Sequence, residues 1–446
     1  MTDVEGADIS IEHFIQENEQ NEKGQIPEFF KRSCVFITGC TGFMGRVLIE
    51  KLIRSCPNVE KIYLLIRPKS GKTPMNRLEE LFHGPLYERM KTEVGDFMNR
   101  VEVVPGDCLK PWLGLSEAYV HLLTENVNVV FHTAAIVRFD TKLKTAVFTN
   151  IRATHHLLEI ARKMRKLEAF LYVSTAFSNC DKQLIEETFY EPPINASCIM
   201  HMAETMDDKI FEKITPGREQ INLEISNDEN FYSGSMGSNV SGGGIKKSGP
   251  ELRRALKSEV PVYNYVSSNR CPLTWKQFMK LNERAEPEIP STLSVWYYCF
   301  RLNKHKFVYQ LYVFFLHLVP AVFVDLVTII IGKSPKMLAA YKKIHRFSDV
   351  ISYFCTHQWQ FNDGNVVALW NRMSLADRKE FDFNIEHLRW EEYFYTHMRG
   401  IRVYLFKESL DTVPEGRRKR NRLMLAHYTL VAILCASILF IIYILF

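Results

Sequence analysis

A chain of 446 residues has room for about two or three domains. With 46% hydrophobic residues it can bury a sizeable core, which excludes a disordered chain. The net charge of +5, from 56 basic and 51 acidic residues, describes a mixed solvated surface and gives no reason to expect a nucleic-acid partner.

The first 27 residues are polar and acidic, with no apolar stretch of the secretory kind, and read as a separate N-terminal segment. The ten cysteines form no C-x-x-C pair and no Cys/His cluster at zinc spacing, so a reducing compartment and no metal are expected.

Residues 33–38, S-C-V-F-I-T, form a short apolar, β-branched run typical of a buried parallel strand. The run meets Gly39-Cys-Thr-Gly42-Phe-Met-Gly45 and then an amphipathic stretch, the strand–glycine turn–helix context of a dinucleotide site. The glycines serve a tight turn (Gly39), close approach of a pyrophosphate (Gly42) and close helix packing (Gly45). Thr38, Thr41 and Phe43 flank them as further expected cofactor contacts. The pyrophosphate would sit on the open N–H groups at the helix start.

The second strand, 61–66, ends in Arg67-Pro68-Lys69. An NAD site usually carries an acid there for the ribose 2′-hydroxyl, whereas a cation suits the 2′-phosphate, so NADP(H) is the expected cofactor.

Further βα units follow. Residues 101–104 lead to Gly106-Asp107, whose carboxylate would cap the adenine ring. Residues 127–131 lead to His132-Thr-Ala134-Ala135, where small side chains let a flat cofactor lie against the strand ends. Residues 170–173 lead to Ser174-Thr175. Repeated alternation predicts an α/β fold, a doubly wound parallel sheet of the extended Rossmann type with ligand at the carboxyl ends of the strands. His132, His155 and His156 lack partners at ligand spacing and read as satisfied structural histidines.

These motifs, I-T-G-C-T-G-F-M-G, L-L-I-R-P-K, G-D, H-T-A-A and V-S-T-A-F-S, resemble those of the fatty acyl-CoA reductases. In the far half, Y-K-K-I-H-R-F-S-D (341–349), F-C-T-H-Q-W-Q-F-N (354–362), W-E-E-Y (390–393) and G-I-R-V-Y (400–404) resemble that family's C-terminal domain. V-Y-N-Y-V-S (262–267) with L-T-W (273–275) resembles the segment before it. The resemblance implies reduction of long-chain fatty acyl-CoA to fatty alcohol with NADPH. It also gives Thr175 and its neighbour Ser174 the role of hydrogen-bonding the reacting carbonyl oxygen.

Such reductases also use a Tyr-x-x-x-Lys pair, the tyrosine giving a proton to the developing alkoxide and the lysine lowering its pKa. The family pattern expects it after residue 216, where this chain has instead a Gly/Ser-rich stretch over 233–244. Tyr87 and Lys91 have the spacing by chance, and Tyr232 has no lysine four residues on. A cofactor-binding relative without turnover is therefore the alternative reading.

Two apolar segments bear on membranes. Residues 428–446 are long enough to span, behind the basic run Arg417-Arg-Lys-Arg420, which the positive-inside rule puts on the cytosolic face. Residues 307–331 are also apolar but carry Pro320 and Asp325, and read as a hairpin kinked near Pro320 or an interfacial helix. The expected organisation is a polar segment over 1–27, a Rossmann domain over 28–215, and a truncated substrate region over 216–300. An apolar membrane element over 301–332, a small mainly helical domain over 333–415 and an anchor over 416–446 complete it. The expected partners are long-chain fatty acyl-CoA and membrane lipid, at a cytosol-facing endoplasmic reticulum or peroxisomal membrane, with a homo-oligomer left open.

Overall fold

The computed structural model describes residues 24–138, 141–213, 260–298 and 306–445. Most of the polar N-terminal segment, Tyr232 and the Gly/Ser stretch 233–244 lie outside the described residues. The chain divides into two compact units. The first runs to residue 266 and takes in His357–Phe383, while the second holds Ser267–Thr356 and the chain from Asn384 onward.

The first unit is built on five parallel strands: β1 (Cys34–Thr38), β2 (Lys61–Ile66), β3 (Val101–Pro105), β4 (Val129–His132) and β5 (Ala169–Tyr172). Their order is β3-β2-β1-β4-β5, so the winding reverses between β1 and β4. In such sheets ligand binds at that switch point, beyond the carboxyl ends of the strands. Register pairs Thr38 with His132, and His132 with Tyr172, which brings the ends of β1, β4 and β5 level.

Alternation sorts β1 onto two faces. Val35 and Ile37 join Ile49, Leu52 and Ile53 of helix α1 (Phe43–Ser55) in one core, while Cys34 and Phe36 join Leu157 and Leu158 in the other. A sheet covered on both faces explains why β1 reads as an unbroken apolar run.

Residues 357–383 return to this unit. The strand β6 (Leu184–Ile185) pairs in parallel with β7 (Gln360–Phe361), and Trp359 Nε1 donates to Cys180 O at 2.9 Å. Glu187 joins three distant segments, because its carboxylate accepts the N–H groups of Asn264 and Asn365. Asp377, almost fully buried, accepts the N–H groups of Gln25 and Ile26 at 2.8 and 3.1 Å. Glu380 meets Lys51, Arg54 and Ser55 at the end of α1.

The second unit is helical among its described residues. A capping box, Thr274 with Gln277, starts Trp275–Ala285, whose Leu281 and Ala285 pack on Phe394. Arg402 is 1% exposed and lies 3.7 Å from Glu408, with its guanidinium donating to Pro290 O, Ser409 O and the Thr412 hydroxyl.

Two helices are long and apolar enough to cross a membrane: Phe307–Ile330, with mean hydropathy 2.4, and Leu410–Ile444, with mean hydropathy 2.3. The first corrects the expectation of a kinked hairpin at Pro320. Helix continues through Pro320, preceded by a π-turn over Val313–Leu318, and the chain turns back only at Gly332 (φ 78°). A π-turn moves backbone bonding from i+4 to i+5, which accommodates a residue that lacks an N–H.

Candidate active site

The turn after β1 is shaped by glycine in two places. Gly39 has φ 72°, and a Cβ there would lie 2.6 Å from Ala134 N and from the Thr133 carbonyl carbon. A side chain is therefore excluded by conformation and by the neighbouring strand end. A Cβ on Gly45 would lie 2.5 Å from Gly39 O, so only glycine lets α1 pass this close to the turn. Gly42 donates its N–H to Gly39 O at 2.8 Å and caps α1 with no side-chain bond to the helix start. The first turn of this 13-residue helix thus has no side-chain cap, an arrangement open to an anion, and Phe43 stands 80% exposed beside it.

Two guanidinium groups bond Thr41. Arg46 Nε donates to Thr41 O at 3.2 Å, and Arg77 Nη2 donates to Thr41 Oγ1 at 3.4 Å. Arg77, on helix Pro74–Phe82, also donates to the carbonyl oxygen of Arg67. Arg67 lies 3.8 Å from Asp107 Oδ1, and that carboxylate also accepts the Leu109 N–H at 3.0 Å. The sequence singles out Arg67 and Asp107 but not Arg46 and Arg77, which the fold brings to the same turn. Arg46 follows the third glycine directly and was readable, whereas Arg77 lies ten residues past Arg67 and carries no local signal.

Behind the turn runs a closed chain of hydrogen bonds. Ala134 N–H donates to Thr38 Oγ1 (3.3 Å), and the Thr38 hydroxyl donates to His132 Nδ1 (2.6 Å). His132 Nε2–H donates to Thr154 Oγ1 (2.8 Å), whose own proton goes to Asn150 O (2.8 Å). This network assigns the tautomer. Complete burial pushes the imidazole pKa down to about 4, so His132 is neutral at physiological pH. Both ring nitrogens are occupied, as a structural histidine requires. Thr38, expected among the cofactor contacts, is instead fully buried and acts at one remove by fixing Ala134.

Asn150 holds the other side of that loop. Its side chain accepts the Ile136 N–H (2.8 Å) and donates to Ile136 O (3.1 Å), clamping the backbone just after Ala134 and Ala135. The clamp was not visible in the sequence, because Asn150 sits in a helical run with nothing to mark it.

Past β5, a cleft of about 440 Å³ is lined by Ser174 and Thr175 and by Tyr263, Asn264 and Tyr265. Thr175 Oγ1 accepts the Phe177 N–H at 3.2 Å, which fixes the hydroxyl and leaves its proton for a further acceptor. Burial, then the nearby Asp382 charge, raises the Tyr265 pKa, so that phenol stays protonated at neutral pH. Tyr87 takes no part. It is fully buried against Phe82, and its hydroxyl donates to Arg46 O at 3.3 Å.

Residues 37–224 match an NAD-binding family described as male sterility protein, and residues 316–408 match a second family of the same description. The fatty acyl-CoA reductase wat of Drosophila melanogaster is 30% identical over 470 aligned positions, covering 92% of this chain and 91% of that protein. Fatty acyl-CoA reductase 1 of Gallus gallus is 30% identical, covering 90% of each chain. The chain belongs to the fatty acyl-CoA reductase family.

As a family member, it is an oxidoreductase by descent whose front domain takes a nicotinamide cofactor. It is also shorter than its relatives somewhere along the match. Ninety-two per cent of 446 residues is about 410, so about 60 of the 470 aligned positions face a gap in this chain. The human fatty acyl-CoA reductase 1, 29% identical over 472 positions with 90% of this chain covered, repeats the pattern.

Proposed function

We propose that this family member binds NADP(H) at the β1–α1 turn and reduces long-chain fatty acyl-CoA to the alcohol at the cleft after β5. The observation that carries the reading is the glycine cradle, in which Gly39 and Gly45 leave no room for a Cβ and α1 starts with no side-chain cap. Gly39, Gly42 and Gly45 would hold the pyrophosphate with Thr41 and Phe43, while Arg67 and Arg77 would take the 2′-phosphate. Ala134 and Ala135 would receive the nicotinamide end, and Asp107 would face the adenosine.

Bound there, the cofactor supplies hydride. The balance is acyl-CoA + 2 NADPH + 2 H⁺ → alcohol + CoA + 2 NADP⁺, with a bound aldehyde between the two reductions. The chain's own part is to orient the carbonyl and handle protons. The Thr175 hydroxyl, fixed by its bond from the Phe177 N–H, donates to the carbonyl oxygen, and Ser174 supports it.

A specific observation favours a second reading, a cofactor-binding relative without turnover. Tyr87–Lys91 is the only Tyr-x-x-x-Lys in the 446 residues, and Tyr87 is sealed in the core. Loss of such a proton donor costs about 10²–10⁴-fold in rate.

The chain is further proposed to sit on a cytosol-facing membrane of the endoplasmic reticulum or peroxisome. Its tail helix would be the anchor, with Arg417, Arg418, Lys419 and Arg420 on the cytosolic side.

The test measures NADPH consumption and alcohol from palmitoyl-CoA in membranes that hold the full chain. Alcohol above a Ser174→Ala/Thr175→Ala control supports the reductase reading. NADPH binding without alcohol supports the second reading. Failure to bind NADPH sinks both.

A further inference from the structure

The helix Phe307–Ile330 is inside out. The stripe it turns toward its neighbour holds His317, Ala321, Asp325 and Thr328, with Val313 and Leu318 beside it. Its large side chains point away, and Phe315, Phe323 and Ile330 stand 60%, 66% and 82% exposed. In water the seam of a helical hairpin is its apolar side, so the reversed pattern marks an outer surface meant for hydrocarbon.

The neighbour is helix Met337–Thr356, which runs back along that stripe. Asp325 accepts the N–H groups of Lys336, Met337 and Leu338 at 3.0, 2.9 and 2.9 Å, so the acid within the apolar run is spent on the start of the returning helix. The His317 ring stacks on Tyr341 at 4.9 Å and on His345 at 5.2 Å. This register sets Lys342, Lys343 and Arg346 level with His317, near the middle of the 24-residue apolar helix. All three cations are exposed, and Ile344 and Phe347 are exposed among them.

The register decides between two placements. If Phe307–Ile330 crossed a bilayer, its partner would carry three cations to the apolar centre, where no water or counter-charge meets them. If the pair lies in the plane of one leaflet, the apolar arc enters the acyl region and the cations reach the headgroups. We propose that the hairpin 307–356 is an in-plane membrane element whose Lys342, Lys343 and Arg346 bind a bilayer surface rich in anionic headgroups. This deepens the membrane attachment proposed above and rests on it. Such a surface attracts clustered cations, and the apolar arc supplies the second attachment that charge alone does not.

The test uses the full chain in sealed microsomes. Ser334→Cys puts a thiol at the turn, compared with the parent chain for background labelling. A membrane-impermeant maleimide added from the cytosolic side should label it equally before and after the vesicles are opened with detergent. Labelling only after opening would mean that the helix crosses, and the proposal falls. In liposomes of phosphatidylcholine, adding phosphatidylserine should slow amide exchange across 307–356 by about tenfold or more in the parent. The triple variant Lys342→Glu/Lys343→Glu/Arg346→Glu should lose that slowing. Equal exchange in both lipid mixtures for the parent would overturn the headgroup assignment. Alkaline carbonate extraction separates the two readings. A parent chain that washes off breaks the membrane-attachment reading itself, whereas a retained chain with a shielded Ser334→Cys breaks only the in-plane placement.

Discussion

The two ends of the parallel sheet differ in how they are made. At β1 the site is mostly backbone and short-range: a left-handed Gly39, an uncapped helix start, and Arg46 bonded to the turn. At β5 it depends on segments far apart in the chain, since the cleft of Ser174 and Thr175 is lined also by 260–265, and the strand is the described edge of the sheet. Loss of a segment between 175 and 260 can therefore remove chemistry while leaving the cofactor cradle whole. Binding and turnover are separable in this fold, and the sharpest experiments ask whether they separate in this chain.

The largest expected effect breaks the intact end. Gly39→Ala meets the Thr133–Ala134 backbone at 2.6 Å and strains a left-handed residue, so NADPH affinity should fall by on the order of 100-fold in a fluorescence titration. Unchanged affinity would show that the cradle is not the site. Next comes the histidine behind it. Because the folded pKa of His132 is pushed down to about 4 from an ordinary value near 6.5, its stabilisation is complete above pH 6.5 and is lost as pH falls toward 4. That amounts to roughly 3 kcal/mol, and thermal unfolding between pH 7 and 4 should show a steeper loss in the parent than in His132→Gln.

A somewhat smaller effect sharpens the choice of cofactor. Arg77→Ala should weaken NADPH by roughly tenfold or more and leave NADH nearly unchanged, as expected for one charge-assisted bond to the 2′-phosphate. Equal losses for both dinucleotides would remove Arg77 from that role. The smallest effect is on the returning segment. Lys51 and Ser55, then Arg54, hold the Glu380 carboxyl down at about 2, so its contribution is present above its ordinary range near 4.3 and fades as pH drops from there toward 2. With that side chain 43% exposed the gain is small, and the melting difference between parent and Glu380→Gln should be slight at pH 7 and vanish near pH 2.

What the sequence revealed follows the same division. The strand and the glycine turn are legible because each is fixed within a few residues of its own signal, and Arg67, Ala134 and Ala135 lie at the strand ends that the pattern marks. Arg77, Asn150 and Glu187 are not, because each bonds a partner that only the folded chain brings near. Pro320 misled for a different reason. A proline inside an apolar run normally marks a break, and a π-turn just ahead of it absorbed the missing bond. The chance Tyr87–Lys91 spacing was correctly set aside, and its burial supplies the physical reason.

The bond from Gln25 to Asp377 spans 352 positions, and that from Trp359 to Cys180 spans 179. On a ribosome the nucleotide-binding unit therefore cannot complete its packing until residues beyond 377 have left the exit tunnel, long after the greasy helix at 307–330 has emerged. The nascent chain must carry that helix into a bilayer, or shelter it on a chaperone, while its own sheet is still unfinished. The order of synthesis exposes that helix ahead of a finished fold.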